Sequence, residues 1–119
     1  MRELSATSTP EEVRTAWAFA LESGEYPQGK LYLNNNDQFC CLGVLCELAV
    51  KAGMTERGTE ILVRYEDKNG YGDASTQYAP TGVRMWAGLS SSEQQRLTVA
   101  NDFYNKSFSE IAEMVRAID

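Results

Sequence analysis

The chain contains no histidine. That absence removes Ser-His-Asp and Cys-His activation of a nucleophile, the commonest proton shuttle, and most transition-metal coordination. Catalysis would have to run on carboxylates, Lys, Tyr or an unaided thiol, and the sequence assigns no catalytic residue, metal ligand or cofactor. Basic residues are also short, with 11 Lys plus Arg against 17 Asp plus Glu and a formal charge of −6. The long-range field therefore repels nucleic acid and acidic membranes, and favours small molecules or proteins with basic faces as partners. No run approaches the roughly eighteen apolar residues of a membrane span, and the opening MRELSATSTPEE lacks the apolar segment of a signal peptide. The expected location is the cytosol. Three cysteines, an odd number within one helix-sized window and without a C-x-x-C pair, suit neither a disulfide framework nor zinc.

The one long apolar segment runs from Phe39 to Ala52, FCCLGVLCELAVKA. Leu42, Leu45, Leu48 and Ala49 recur at three- and four-residue steps, while Cys41, Val44 and Ala52 fill the adjoining stripe. A helix this apolar belongs at the centre, with other elements packed round it. Gly43 costs about 1 kcal/mol relative to Ala in a helix interior, which marks a place where another backbone comes close.

The remaining elements follow from caps and periodicity. Thr9, Pro10 and Glu12 open a first helix with a capping box, and Val13, Ala16, Trp17, Ala20 and Leu21 form its inner face. Ser23-Gly24 closes it. Leu31 to Leu33 alternates like a strand, Asn34 to Asp37 reads as a turn, and Gln38 to Cys40 as the returning strand. After Gly53 the polar stretch Thr55 to Thr59 leads to Glu60–Glu66, the strongest strand pattern, with Ile61, Val63 and Tyr65 on one side. Asn69-Gly70 signals a hairpin, and Tyr71 to Tyr78 is a partner strand or a loop. Thr81 to Ala87 forms a short helix with Val83, Trp86 and Ala87 inward. Ser90 and Glu93 cap a helix carrying Leu97, Val99 and Ala100, and Asn101 to Lys106 is a loop. Ser107 and Glu110 cap an amphipathic terminal helix with Phe108, Ile111, Ala112, Val115 and Ile118 on one face. This is an α+β plan in a single domain spanning residues 1–119: a central apolar helix, further helices and short antiparallel hairpins.

Four pieces in this order, Trp17 to Gly29, Phe39 to Ala49, Trp86 to Leu89, and Asn101-Asp102 with Ser107 to Ala112, resemble a family of small proteins encoded by bacteriophages and prophages. The double-cysteine helix is quite specific. The chain departs from the family before Trp86, where members often read Leu-Pro and this chain has Ala79-Pro80. The resemblance implies an accessory protein acting inside an infected bacterium. Proteins of that kind block host enzymes or sequester immune signals, cyclic or ADP-ribose-derived nucleotides among them, so the expectation is an anti-defence sponge at the host–virus interface.

Ligand chemistry is sought where cations have aromatic neighbours, because a nucleotide pocket needs a stacking plane and a phosphate-binding cation. The candidates are Lys30 with Tyr32, Arg64 (beside Tyr65, but on the opposite strand face), and Arg84 with Trp86. Asn101 adds amide hydrogen bonds and Tyr104 a stacking ring. Together they describe a pocket for a small anionic metabolite or nucleotide signal, which a homo-oligomer would enclose more fully. The alternative is an acidic protein-protein inhibitor of a host enzyme. Cys40, at a strand-helix junction, is a thiol that a helix N-terminus would activate, but buried apolar packing is the default for all three cysteines.

Overall fold

The computed structural model describes residues 3–68 and 73–118. The first helix, α1 (Pro10–Glu22), starts as its cap demands: Thr9 Oγ1 accepts the Glu12 N–H at 3.1 Å, and Glu12 Oε1 accepts the Thr9 N–H at 2.8 Å. Val13, Trp17, Ala18 and Leu21 are buried, whereas Ala16 and Ala20 stay half-exposed. The inner face is thus rotated slightly from the expected one.

Strands β1 (Asn34–Asn35) and β2 (Gln38–Phe39) pair antiparallel, Asn34 opposite Phe39. Asn36 and Asp37 between them both lie at positive φ, 52° and 63°. A two-residue loop with both residues left-handed is the hairpin turn whose twist matches its strands. The expected strand at Leu31–Leu33 does not form. Leu31 takes φ 72°, which breaks extension, and Leu33 donates its N–H to Thr76 O at 2.8 Å, outside the hairpin.

Helix α2 (Cys41–Lys51) is the hub. Every residue from Cys41 to Glu47 is buried, and the helix touches α1 and β2 as well as elements that follow it. Gly43 is where a backbone crosses: a Cβ there would stand 1.7 Å from Leu33 O. Trp17, fully buried, donates its indole N–H to Cys41 O at 2.9 Å and ties α1 to the start of α2.

A second antiparallel sheet has the order β3 (Thr55–Arg57), β4 (Tyr65–Asp67), β5 (Ala74–Ser75). The strand expected over Glu60–Glu66 is pulled apart. Asn36 N–H bonds Ile61 O and Val63 N–H bonds Asn34 O, both at 2.9 Å, so 60–63 crosses the hairpin instead of joining the sheet. Ile61 is exposed while Val63, Tyr65 and Asp67 are buried. The partner of β4 is 55–57, a stretch that read as polar loop. The Asn69-Gly70 turn lies outside the described residues; beyond it, β5 realises the partner strand in two residues.

Helix α3 (Thr81–Trp86) starts where Asp73 accepts the Thr81 N–H, Oδ2 at 2.9 Å. Helices α4 (Ser91–Asp102) and α5 (Phe108–Arg116) each begin with a capping box, Ser90 with Glu93 and Ser107 with Glu110. The five expected core residues from Phe108 to Ile118 are all buried. Asn101 and Asp102, expected in a loop, are the last residues of α4. Helix α5 packs mainly on α1, and α4 and α3 on α2. Five helices and two small antiparallel sheets among the described residues make an α+β domain. None of these helices is long and apolar enough to cross a membrane.

Candidate functional site

The end of α4 and the loop before the first hairpin are stitched together by one buried amide. Asn101 Oδ1 accepts from Gln28 Nε2 at 3.0 Å, and its Nδ2 donates to Gly29 O at 3.0 Å and to Asp102 Oδ1 at 2.9 Å. Asp102 Oδ1 also accepts the Leu31 N–H at 3.0 Å, and Gln28 donates to Lys106 O at 2.8 Å. Asn101 stays helical because its side chain is satisfied by another loop; it has no need to turn back on its own backbone.

This stitching leaves a recess of about 180 Å³ lined by Gln28, Gly29, Lys30, Asn101, Asn105 and Lys106. Lys30 Nζ donates to Asn105 Oδ1 across it. Lys106 sits 3.8 Å from Glu110, an exposed pair of the kind worth at most about 1 kcal/mol. Each side of the recess holds one non-glycine residue in left-handed backbone, Leu31 at φ 72° and Asn105 at φ 53°. Such conformations cost roughly 1–3 kcal/mol each and gather at ligand clamps. Next to them Leu31, Phe103 and Tyr104 are exposed, the two aromatics by about two thirds (67% and 70%).

Of the seven residues singled out by sequence, Lys30 and Asn101 line the recess, and Tyr104 is an exposed chain neighbour of its Asn105 without lining it. Tyr32 is half-buried nearby in the chain and accepts the Cys40 N–H on its carbonyl at 3.3 Å. Arg64 is exposed, with its carbonyl bonded to the Gly58 N–H at 2.8 Å. Arg84 donates to Leu89 O at 2.6 Å and fastens the end of α3. Trp86 is buried and donates to Ser5 O at 2.9 Å. Tyr32, Arg64, Arg84, Trp86 and Tyr104 do not line the recess.

Sequence reading missed a buried polar chain. Glu47 on α2 accepts the Tyr65 O–H at 2.5 Å and the Arg57 Nη1–H at 2.8 Å, and Asn34 Nδ2 donates to Tyr65 Oη at 3.3 Å. Burial, with the Glu47 carboxylate second, raises the Tyr65 pKa well above its ordinary value. The available signal was Glu47 itself, the one charge between Phe39 and Val50.

The thiols sit in the opposite environment to an activated nucleophile. Burial pushes Cys40 up to about 12 and holds Cys41 and Cys46 well above the ordinary 9.0. Desolvation outweighs whatever the start of α2 offers. Glu66 and Asp67 point to opposite faces, one exposed and one buried, and do not form a catalytic pair. Another concavity, of about 540 Å³, is mainly apolar, lies between α1 and the end of α2, and holds none of the seven residues. Among the described residues no group of three His, Cys, Asp or Glu is placed to hold a metal ion.

The fold and these recesses define the class: a small α+β domain whose polar hollows lie where loops are bonded across to other elements. The chain belongs to the family described as Domain of unknown function (DUF8296), whose model matches residues 9–119. No curated protein and no solved structure matches it.

Proposed function

We propose that this chain is a binding protein for a small anionic ligand, held at the corner between residues 28–31 and 101–106. In the setting implied by its resemblance to phage proteins, it acts in the host cytosol and sequesters a nucleotide-type signal. The observation that carries this reading is the presence of both Lys30 and Lys106 in the lining of one recess, with exposed Phe103 and Tyr104 immediately preceding its Asn105 in the chain. Two ammonium groups and the Asn105 amide supply donors for phosphate oxygens, and an exposed ring supplies a stacking plane for a base. Lys30 exchanges its bond to Asn105 for the ligand, and Lys106 gives up a weak surface pair. Isothermal titration with cyclic nucleotides, ADP-ribose and inorganic phosphate tests the reading. At least one phosphorylated ligand is expected to bind, and Lys30→Ala with Lys106→Ala to weaken it at least tenfold. Absence of binding by any of them to folded protein defeats the proposal.

A second reading, an acidic inhibitor docked on a basic host protein, draws on the charge of −6 and on the apolar groove that has Glu3 and Glu25 among its lining residues. A partner captured from host lysate that elutes with salt would favour it.

A further inference from the structure

A cleft of about 310 Å³ opens between the β1–β2 hairpin and the 57–63 segment, with Asn34, Asp37, Arg57, Glu60, Ile61 and Val63 among its lining residues. Arg57 is the outer end of the buried polar chain. Its Nη1 is fixed on Glu47, yet 47% of its side chain remains exposed. Glu47 is held in turn by Tyr65, Tyr65 is bonded by Asn34, and Asn34 Oδ1 accepts the Asp37 N–H at 2.8 Å in the hairpin turn. A buried ionic network adds little net stability over apolar packing. What this one does is hold a guanidinium in one orientation on the wall of a cleft, with the fork of N–H donors that suits a carboxylate.

The same cleft carries charge of the opposite sign. Asp37 and Glu60 are exposed carboxylates that no hydrogen bond or ion pair engages among the described residues. A bare anion in the cleft shares it with both carboxylates, and a bare cation shares it with the guanidinium. A molecule with a carboxylate at one end and an ammonium at the other satisfies all three, and Val63 and exposed Ile61 offer apolar contact to whatever else it carries. The volume lies at the bottom of the roughly 300–1,000 Å³ range of small-molecule sites, which leaves room for one amino acid.

We propose that this cleft is a second binding site, for a free α-amino acid, with its carboxylate on Arg57 and its ammonium between Asp37 and Glu60. The site is separate from the lysine-lined corner, so either assignment stands or falls without the other.

The experiment is an amide NMR titration of the full chain with L-leucine, L-alanine, L-glutamate and L-lysine, and with acetate, methylamine and N-acetyl-L-leucine as single-charge controls. Saturable shifts confined to residues 34–37 and 57–63 are expected with at least one amino acid, and tenfold or weaker binding of the controls. Asp37→Asn and Glu60→Gln, both exposed and outside the buried chain, are expected to reduce affinity at least tenfold with the spectrum otherwise unchanged. The proposal is overturned if no amino acid saturates these shifts, if acetate binds as tightly as the zwitterion, or if both variants bind like the parent.

Discussion

Gly43 and Leu33 touch backbone to backbone: the Leu33 carbonyl oxygen occupies the space of a Gly43 side chain, 1.7 Å from where a Cβ would be. Neither partner is a flexible side-chain end that yields cheaply. Gly43→Ala, favourable by helix propensity alone, is therefore expected to destabilise the fold by about 3 kcal/mol or more, at the upper end for overpacking. Urea unfolding followed by circular dichroism checks the sign; a variant as stable as the parent would show that the Leu33 segment backs away freely from α2.

Tyr65→Phe removes a donor to a buried carboxylate while keeping the ring. Hydrogen bonds to charged groups are worth about 1.5–3 kcal/mol, and a loss in that range is expected by denaturant titration. Glu47→Gln, which keeps hydrogen-bonding atoms without the charge, is expected to cost less than Glu47→Ala. Equal losses would mean that volume, not polarity, matters at this position.

Asn101→Ala takes the side-chain donor from Gly29 O and leaves the Gln28 amide with Lys106 O alone. An expected loss of about 2–3 kcal/mol combines an unmade hydrogen bond with an unsatisfied buried group. Amide exchange of residues 28–31 is expected to speed up more than that of α5. Uniform acceleration across the chain would place the role of Asn101 in the whole core instead.

The thiols give a signed dependence on alkali. Cys40 is raised from 9.0 to about 12, so its contribution is fully present below pH 9 and is lost as pH rises towards 12, where the unfolded chain gains from ionising. Cys41 and Cys46 are raised by the same cause and act in the same direction. An aromatic disulfide reagent at pH 8 is expected to titrate no thiol of the native protein within minutes, and all three after unfolding. Rapid reaction of Cys40 alone would overturn its burial.

At acid pH the sign reverses. Glu93 and Glu110 are held below the ordinary 4.5 chiefly by the backbone N–H groups of Ser90 and Ser107, and Glu22 chiefly by Arg116. Their contributions are present above pH 4.5 and lost as pH falls through the depressed values. Melting temperature is expected to fall below that pH, and less steeply in Glu93→Gln with Glu110→Gln, which keep an acceptor at each cap. An unaltered acid limb in the double variant would remove the caps from the account.

Helices were legible because each of their signals is local. Thr9, Ser90 and Ser107 reveal their caps within three residues, and the apolar run around Gly43 reveals both centrality and a close neighbour. Strands were less so, because pairing is decided elsewhere: the alternation from Ile61 to Tyr65 is real, but the hairpin captures 60–63 and leaves β4 to pair with 55–57. At the corner, Lys30, Asn101 and Tyr104 were readable as residue types, although nothing in the sequence joins Gln28 to Asn101 across 73 positions. Arg57 and Glu47 were missed for the same reason, with the added handicap that a lone carboxylate in an apolar helix reads as a solvent-facing residue.

The ion pair of Arg116 with Glu22 spans 94 positions, and α1 rests chiefly on α5. α1 is synthesised well before α5, so the face it turns to α5 has no cover until synthesis reaches 108–116. That apolar stripe of the nascent chain therefore waits while the intervening residues 23–107 are made, and a pause before α5 prolongs the interval in which chaperones, or other unfinished chains, reach it.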